Sequence, residues 1–197
     1  DRPAPVGSDT RPLTALTTLF AAQYALAQWW ISRGIIPGAL LGHSMGEYTA
    51  ACIAGVFSVE DALDIVTLRG RLFEQLPPGA MLSVSASVSD IAQYLNDELS
   101  IAVENAPDML VVAGPSGAMD AFEQVVTAAD IDSRRVHIDV AAHSAMIDEI
   151  MPEFQRGLTR IELKRPEIPF TSNVSGTWIT EAEATDSAYW TKHLRQT

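Results

Sequence analysis

The stretch Leu40–Gly55, LLGHSMGEYTAACIAG, determines how the rest of this chain is interpreted. Gly42 and Gly46 flank Ser44 at positions −2 and +2, which is the G-x-S-x-G spacing of a nucleophile elbow. An apolar run precedes the serine and a run of small residues follows it, so the pattern predicts a sharp strand-to-helix turn. Such a helix points its free N–H groups at the turn, the first of them that of Met45, and can stabilise an oxyanion. This context favours a reacting serine over a plain glycine-flanked turn.

The composition is that of a folded globular protein. The chain has 197 residues, of which 47% are hydrophobic and 19% are charged. Its sequence contains no run of the ~18 to 20 apolar residues that a membrane-spanning helix needs. The polar, proline-rich start has no apolar signal core, and Cys52 is the single cysteine. These features predict a cytoplasmic protein without an internal disulfide framework.

The net charge restricts the partners. A formal charge of −12 argues against binding to nucleic acid, because phosphate contacts need clustered lysine and arginine. The same charge means that an anionic substrate must be held by a local cation.

Apolar spacing and breakers outline the first part of the chain. The i, i+3, i+7 pattern over residues 13–33 predicts a helix that is buried on most sides. Residues 35–42 are typical of a short buried strand. Ser58 and Asp61 predict the capped start of a second helix, and the Pro-Pro-Gly at 77–79 predicts a lobe boundary.

From residue 81 to residue 140 the pattern changes to strand, helix, strand, strand, helix, strand. This order is typical of a ferredoxin-like unit. After it we expect a helix over 145–158, a strand and turn over 168–176, and a helix from residue 187.

The longer segment GHSMGEYTAA, residues 42–51, closely resembles the nucleophile segment of the malonyl-CoA:acyl carrier protein transacylases. The resemblance continues in family order through LRGRLF, VENAPDMLVVAGP, AAHSAMID, IPFTSNVSG and YWTKHLRQT. The chain is most like the acyltransferase domain of a modular type I polyketide synthase. The resemblance implies an α/β fold with an α/β-hydrolase-like large lobe, built on a parallel sheet, and an inserted ferredoxin-like small lobe. We place the lobes at 1–79 (large), 80–140 (small) and 141–197 (return to the large lobe).

The same resemblance implies a Ser-His pair. His143 occupies the histidine position of the family, as the general base for Ser44. The residues alone leave a helix-capping or core histidine open. In the family a main-chain carbonyl orients the imidazole, and the alignment puts that carbonyl at His193, whose side chain is then incidental. We expect His43 to shape the turn and His137 to be structural.

Arg69 is unusual because its spacing places it on the apolar face of its helix, whereas Arg71 points into solvent. A buried guanidinium must be paired. The residues leave a structural Asp or Glu open as the partner. The resemblance implies instead that Arg69 binds the free carboxylate of a malonyl group with two hydrogen bonds. It also places Asn105 at the pocket.

The resemblance gives two indicators of the acyl group. Met45 matches malonyl-specific members, while the four residues Val140-Ala141-Ala142-His143 match neither the malonyl nor the methylmalonyl pattern. Ala142 leaves space for an α-methyl group, and one methyl contact is worth only about 1 to 3 kcal/mol. We therefore expect malonyl as the native unit, with tolerance of methylmalonyl.

The sequence thus predicts an acyltransferase that moves malonyl, or an α-branched malonyl, from CoA through an acyl-serine to the phosphopantetheine thiol of an acyl carrier protein. We expect no metal and no bound cofactor, and neighbouring ketosynthase and linker domains as further partners. Two alternatives stay open: a serine hydrolase of the α/β-hydrolase or patatin-like type, and a non-catalytic lobe of a megasynthase. The N-terminal GQGSQ-type loop and the C-terminal GPG strand of the family are expected to lie outside this chain.

Overall fold

The computed structural model describes residues 11–136 and 140–196, which form helices and a sheet of the α/β class. The chain divides into two compact units. The first runs from the start of the described residues to Glu74 and resumes over Pro152–His193. The second comprises Gln75–Met151 and begins again at Leu194. The lobe ranges 1–79, 80–140 and 141–197 inferred from the sequence stay a prediction.

The helices in chain order are α1 (Pro12–Ser32), α2 (Met45–Ile53), α3 (Val59–Phe73), α4 (Val88–Ile91), α5 (Ser116–Ala128), α6 (Met151–Leu158), α7 (Glu181–Ala184) and α8 (Ser187–Arg195). Two 3₁₀ segments occupy Ala92–Tyr94 and Ala145–Ile150, so the helix predicted over 145–158 is 3₁₀ in its first half. In the part of the chain that the structure describes, no helix combines the length and the apolar character needed to cross a bilayer.

The start of α3 follows the predicted cap. Ser58 is the N-cap, and its Oγ accepts the Asp61 N–H at 3.0 Å. At the other end of α3, an ideal Cβ on Gly70 would lie 2.5 Å from the Cα of Leu13 in α1. Helices α1 and α3 therefore meet backbone to backbone, which fixes the helix that carries Arg69.

The prediction that α1 is buried on most sides is wrong. Phe20 is its buried residue, whereas Leu19, Leu26, Trp29 and Trp30 are exposed. Helix α1 contacts α2 and α3, and the apolar side chains turned away from these helices stay at the surface. Periodicity identifies which residues share a helix face, but burial also needs an element that covers that face.

The prediction of a buried strand over 35–42 is also wrong in extent and burial. Of this stretch, Leu40 alone forms a β-bridge, parallel to Phe170, and Ile36 and Leu41 are 70% and 81% exposed. The bridge rests on Leu40 N–H donating to the Pro169 carbonyl at 2.9 Å and Thr171 N–H donating to the Leu40 carbonyl at 3.2 Å. Pro37 has no N–H to extend the ladder on its side. The strand expected over 168–176 is likewise reduced to bridges at Phe170, Thr171 and Trp178.

The second unit contains a four-stranded antiparallel sheet in the order β2-β3-β1-β4. The strands are β1 (Gly79–Val84), β2 (Ser100–Ala106), β3 (Met109–Pro115) and β4 (Ser133–Val136). Strand β1 pairs with both β3 and β4, with Leu82 opposite Val112 and Arg135. With α4 and α5 included, the order along the chain is strand, helix, strand, strand, helix, strand.

One face of this sheet and its helices share an apolar core. It contains Leu82, Val84, Ile91, Leu99, Leu110, Val112, Met119, Phe122 and Val126. Alternate residues of β1 and β3 supply the sheet side of that core, as period-2 patterning predicts. His137, interpreted from the sequence as structural, lies outside the described residues.

Candidate active site

Ser44 occupies a strained turn between the Leu40 bridge and helix α2. It is the N-cap residue of α2, with φ 49° and ψ −111°. A positive φ is costly for a residue with a side chain and occurs preferentially at functional positions. The predicted sharp turn into a helix is therefore present, and Met45 follows as the first residue of α2, where its N–H has no acceptor within the helix.

The two glycines of the motif differ in the space around them. An ideal Cβ on Gly42 would overlap the backbone of Gly46 and Glu47, so no other residue fits there without movement. An ideal Cβ on Gly46 meets nothing within 4 Å. The G-x-S-x-G spacing does not distinguish the two glycines, whereas the turn requires only Gly42 to lack a side chain.

Asn173 holds this turn and was missed by the sequence interpretation. Its Oδ1 accepts the Ser44 N–H at 2.6 Å, and its Nδ2 donates to the Gly42 carbonyl at 2.7 Å. One carboxamide therefore ties both sides of the turn together. The available signal was a polar run, residues 171–173, directly after the apolar residues 168–170.

Behind the turn lies a buried polar cluster centred on Glu47. Glu47 Oε2 accepts the Asn173 N–H at 2.8 Å, and Glu47 Oε1 accepts the hydroxyl hydrogen of Tyr189. The Tyr189 oxygen is also 2.8 Å from Ser172 Oγ. Burial and the nearby Glu47 raise the pKa of Tyr189 above its ordinary value. The cluster links α2, the segment after Phe170 and α8.

His193 belongs to the same cluster. Its side chain is fully buried, with Nε2 3.4 Å from Glu47 Oε2 and its ring 5.2 Å from that of Tyr48. The ring is therefore part of the core, packed against a buried carboxylate and an aromatic ring, and that it is incidental to orienting the imidazole stays a prediction. The orienting function assigned to its carbonyl stays a prediction.

Arg69 is 2% exposed and lies next to Ser44. Its Nη2 donates to Ser44 Oγ at 3.4 Å, and its Cζ lies 5.6 Å and 5.2 Å from the ring centroids of Tyr48 and Phe73. Its Nε and Nη1 have no hydrogen-bond partner among the described residues. Within that part of the chain no Asp or Glu forms an ion pair with it. Burial lowers the pKa of Arg69.

The remaining predicted site residues belong to the second unit. His143 is 3% exposed with φ 57°, and the buried Val140 and Ala142 precede it. The next residue, Ser144, caps the 3₁₀ segment: its Oγ accepts the Met146 N–H at 3.2 Å and donates to the Ala141 carbonyl at 2.7 Å.

The structure also shows where the His143 segment and Asn105 lie relative to the strands of the second unit. An ideal Cβ on Gly79 would lie 2.7 Å from the Ala141 Cβ, so the glycine that opens β1 lets the His143 segment lie against that strand. Asn105 is in β2 and not in the loop expected around residues 105–107, and it is exposed.

Comparison with known proteins gives matches along nearly the whole chain. A family model described as "Acyl transferase domain" matches residues 9–197. The chain is 40% identical over 176 residues to a phenolphthiocerol/phthiocerol polyketide synthase of Mycobacterium tuberculosis, covering 89% of this chain and 12% of that protein. It is 36% identical over 185 residues to polyketide synthase GfsA of Streptomyces halstedii, covering 91% and 2%. The chain thus spans only a small part of these relatives.

Solved structures give the same result. The acyl transferase domain of SpnD, in complex with 2-(pent-4-yn-1-yl)malonyl, superposes with a TM-score of 0.91 at 39% identity, over 96% of this chain and 46% of that one. A loading acyltransferase from the avermectin modular polyketide synthase superposes with a TM-score of 0.88 at 34% identity, over 97% and 64%. A strained serine at the start of α2, a buried arginine at its hydroxyl, and these matches along nearly the whole chain lead to one assignment: the chain belongs to the acyl transferase domain family.

Proposed function

We propose that this chain transfers a malonyl group from CoA to the phosphopantetheine thiol of an acyl carrier protein in polyketide synthesis. The observation that carries the proposal is Arg69. A buried guanidinium whose Nε and Nη1 have no well-formed hydrogen bond among the described residues, and whose Nη2 lies 3.4 Å from Ser44 Oγ, suits an acyl group that ends in a carboxylate. An acyl group without a carboxylate would leave that cation unpaired, which is costly in a buried position.

In the proposed mechanism, His143 takes the proton of the Ser44 hydroxyl as the oxygen attacks the thioester carbon of malonyl-CoA. The Met45 N–H donates to the oxyanion of the tetrahedral intermediate. The C–S bond then breaks, the CoA sulfur takes the proton from His143, and malonyl stays on Ser44 as an ester. The carrier-protein thiol attacks this ester in the same way and restores the serine. The His193 carbonyl is proposed to orient the imidazole.

The finer fold assignment is also a proposal. The sheet order β2-β3-β1-β4 and the strand–helix sequence of the second unit support a ferredoxin-like small lobe. The parallel bridge between Leu40 and Phe170, followed by the turn into α2, supports an α/β-hydrolase-like large lobe on a parallel sheet. We keep the lobe ranges 1–79, 80–140 and 141–197 as part of this proposal.

The partners follow from the same assignment. We infer an acyl carrier protein as the acceptor, with ketosynthase and linker domains as neighbours, because the curated relatives are polyketide synthases of which this chain spans a small part. Malonyl-CoA, or methylmalonyl-CoA, is the proposed donor, with no bound cofactor. The proposed location is the cytoplasm.

Between donors, Ala142 and Met45 support malonyl with tolerance of methylmalonyl. Both side chains are buried, and an alanine at position 142 leaves more room than a phenylalanine would. Competition between the two CoA thioesters tests this preference. We expect malonyl to be transferred faster and Ala142→Phe to increase the margin, and faster transfer of methylmalonyl would reverse the assignment.

Intact-mass measurement after incubation with malonyl-CoA tests the proposed function. We expect one malonyl adduct on the unmodified chain, none on Ser44→Ala, and labelling slowed by about 10²-fold or more in His143→Ala. CoA release without an adduct would indicate a hydrolase. Neither release nor adduct would indicate a non-catalytic lobe, and an adduct on Ser44→Ala would refute the assigned nucleophile.

A further inference from the structure

Tyr48 has a buried hydroxyl group that the proposed mechanism does not use. Its side chain is fully buried in α2, and its ring lies 5.4 Å from that of Trp190 and 5.6 Å from the Arg69 Cζ. Its hydroxyl oxygen interacts with the Arg69 guanidinium, but its hydroxyl hydrogen has no acceptor among the described residues. The neighbouring Arg69 guanidinium can only donate, so it offers no acceptor for the hydroxyl hydrogen. A buried hydroxyl hydrogen without an acceptor is unfavourable, so an acceptor from outside the described residues would stabilise it.

Tyr189 shows what a structural tyrosine looks like in the same unit. It is also buried, and it also contacts Trp190, with ring centroids 5.1 Å apart. Its hydroxyl, however, is paired with both Glu47 and Ser172. Of these two tyrosines, only Tyr48 lies against the guanidinium of Arg69.

Three buried polar atoms that lack a well-formed hydrogen bond therefore belong to two adjacent side chains. They are the Tyr48 hydroxyl and the Nε and Nη1 of Arg69. The guanidinium is held in place by the Tyr48 and Phe73 rings and by Ser44 Oγ, so both nitrogens keep fixed directions. A carboxylate has two oxygens with about four acceptor positions. Nη2 keeps a second N–H beside the one directed at Ser44 Oγ, so a fork of Nη2 with Nε or Nη1 and one hydroxyl donor fit on it together.

We propose that Tyr48 is a further substrate-binding residue, whose hydroxyl donates to the same acyl carboxylate that Arg69 binds. The inference rests on the proposed malonyl transfer and names a second specificity-determining side chain for it. In this arrangement Arg69 supplies the charge and two donors, and Tyr48 supplies a neutral donor. An acetyl group has no carboxylate to accept a hydrogen bond from either residue.

Tyr48→Phe tests the inference, because it removes the hydroxyl oxygen and keeps the ring that contacts Arg69 and Trp190. We expect kcat/KM for malonyl-CoA to fall about tenfold or more, the effect of losing a hydrogen bond to a charged group. We expect kcat/KM for acetyl-CoA to be unchanged, and the melting temperature to be equal or higher. In the matched control, Tyr189→Phe, we expect a lower melting temperature and an unchanged malonyl-to-acetyl ratio.

A binding measurement separates this inference from the proposed function. In a Ser44→Ala background, which cannot form the ester, we expect the added Tyr48→Phe change to raise the dissociation constant of malonyl-CoA about tenfold. An unchanged dissociation constant, or an unchanged malonyl-to-acetyl ratio in an otherwise selective enzyme, overturns the inference. If the unmodified chain binds malonyl-CoA through Tyr48 but transfers nothing, the proposed function fails and the binding assignment stands.

Discussion

Arg69 is buried without a carboxylate partner in the described chain, and its surroundings show how the fold tolerates this. Two aromatic rings lie within 5.6 Å of its Cζ, and Ser44 Oγ accepts from Nη2. A buried cation over two ring faces gains about 2 kcal/mol or more from each favourable contact. These contacts offset part of the free-energy cost of burying the Arg69 cation, and a ligand carboxylate would offset the rest.

Replacing Arg69 is therefore expected to affect substrates differently. Arg69→Ala should reduce kcat/KM for malonyl-CoA by the equivalent of about 2 to 4 kcal/mol, as for loss of one partner of a buried charged pair. Acetyl transfer should be spared or improved. Steady-state kinetics with both thioesters provide the measurement, and Arg71→Ala, an exposed arginine in the same helix, is the matched control. Equal losses for the two thioesters would mean that Arg69 is purely structural.

Asn173 acts on the nucleophile through the backbone and not through the substrate. In Asn173→Ala, the Ser44 N–H and the Gly42 carbonyl lose their partner, and the turn is free to shift. We expect kcat for malonyl transfer to fall about tenfold or more, with KM nearly unchanged, because an unpaired group costs about 1 to 3 kcal/mol.

Asn173→Asp provides the conservative comparison. It keeps an oxygen for the Ser44 N–H and should restore part of kcat. The exposed Ser175 of the same turn is the control position, and Ser175→Ala should change neither constant. A rise in KM with kcat intact would contradict a positioning function for Asn173.

At the scale of the element, the turn into α2 depends on one close backbone contact. Gly42→Ala would push a methyl group into the backbone of Gly46 and Glu47, which side-chain movement cannot relieve. We expect a loss of about 3 kcal/mol or more in the free energy of unfolding, at the upper end for overpacking.

Gly46→Ala is the matched control, because its Cβ meets open space. Its stability should be equal or up to about 1 kcal/mol higher, since alanine favours a helix over glycine. Urea denaturation of both variants measures the difference. Equal stabilities would show that the turn adjusts to a side chain at position 42.

At the scale of the whole molecule, several buried acids stay protonated in the folded state. Burial raises the pKa of the Cys52 thiol from its ordinary 9.0 to about 11, and it also raises the pKa of Tyr48 and Tyr189. These groups ionise at lower pH in the unfolded chain. The contribution of Cys52 to stability is therefore complete below about pH 9 and is lost as the pH rises through about 11. The contribution of the two tyrosines begins to fall only above about pH 10.

We accordingly expect the free energy of unfolding to fall between about pH 9 and about pH 10.5, measured by urea denaturation at each pH. In Cys52→Ala the decline should be shallower over this window, because only the tyrosines contribute. A decline equally steep in both proteins would show that Cys52 has no part in the alkaline loss.

The local features of this protein could be predicted from its sequence. The glycine–serine spacing, the capped start of α3, the extent of α1 and the strand–helix order of the second unit all follow from patterns within a few residues. The position of Arg69 on a buried helix face was predictable for the same reason. Such patterns identify the residue types that the chemistry needs and the segments that carry them.

The contacts between groups far apart in the chain could be seen only in the folded molecule. Asn173 reaches Ser44 across 129 residues, and Tyr189 reaches Glu47 across 142, separations that no spacing rule encodes. The exposure of α1 and of Leu41 was equally hidden, because a pattern of apolar residues states what a face is made of and not what covers it. The hydroxyl hydrogen of Tyr48 without an acceptor is visible only once every other buried partner has been placed, since a hydrogen bond is a property of two groups and not of one residue.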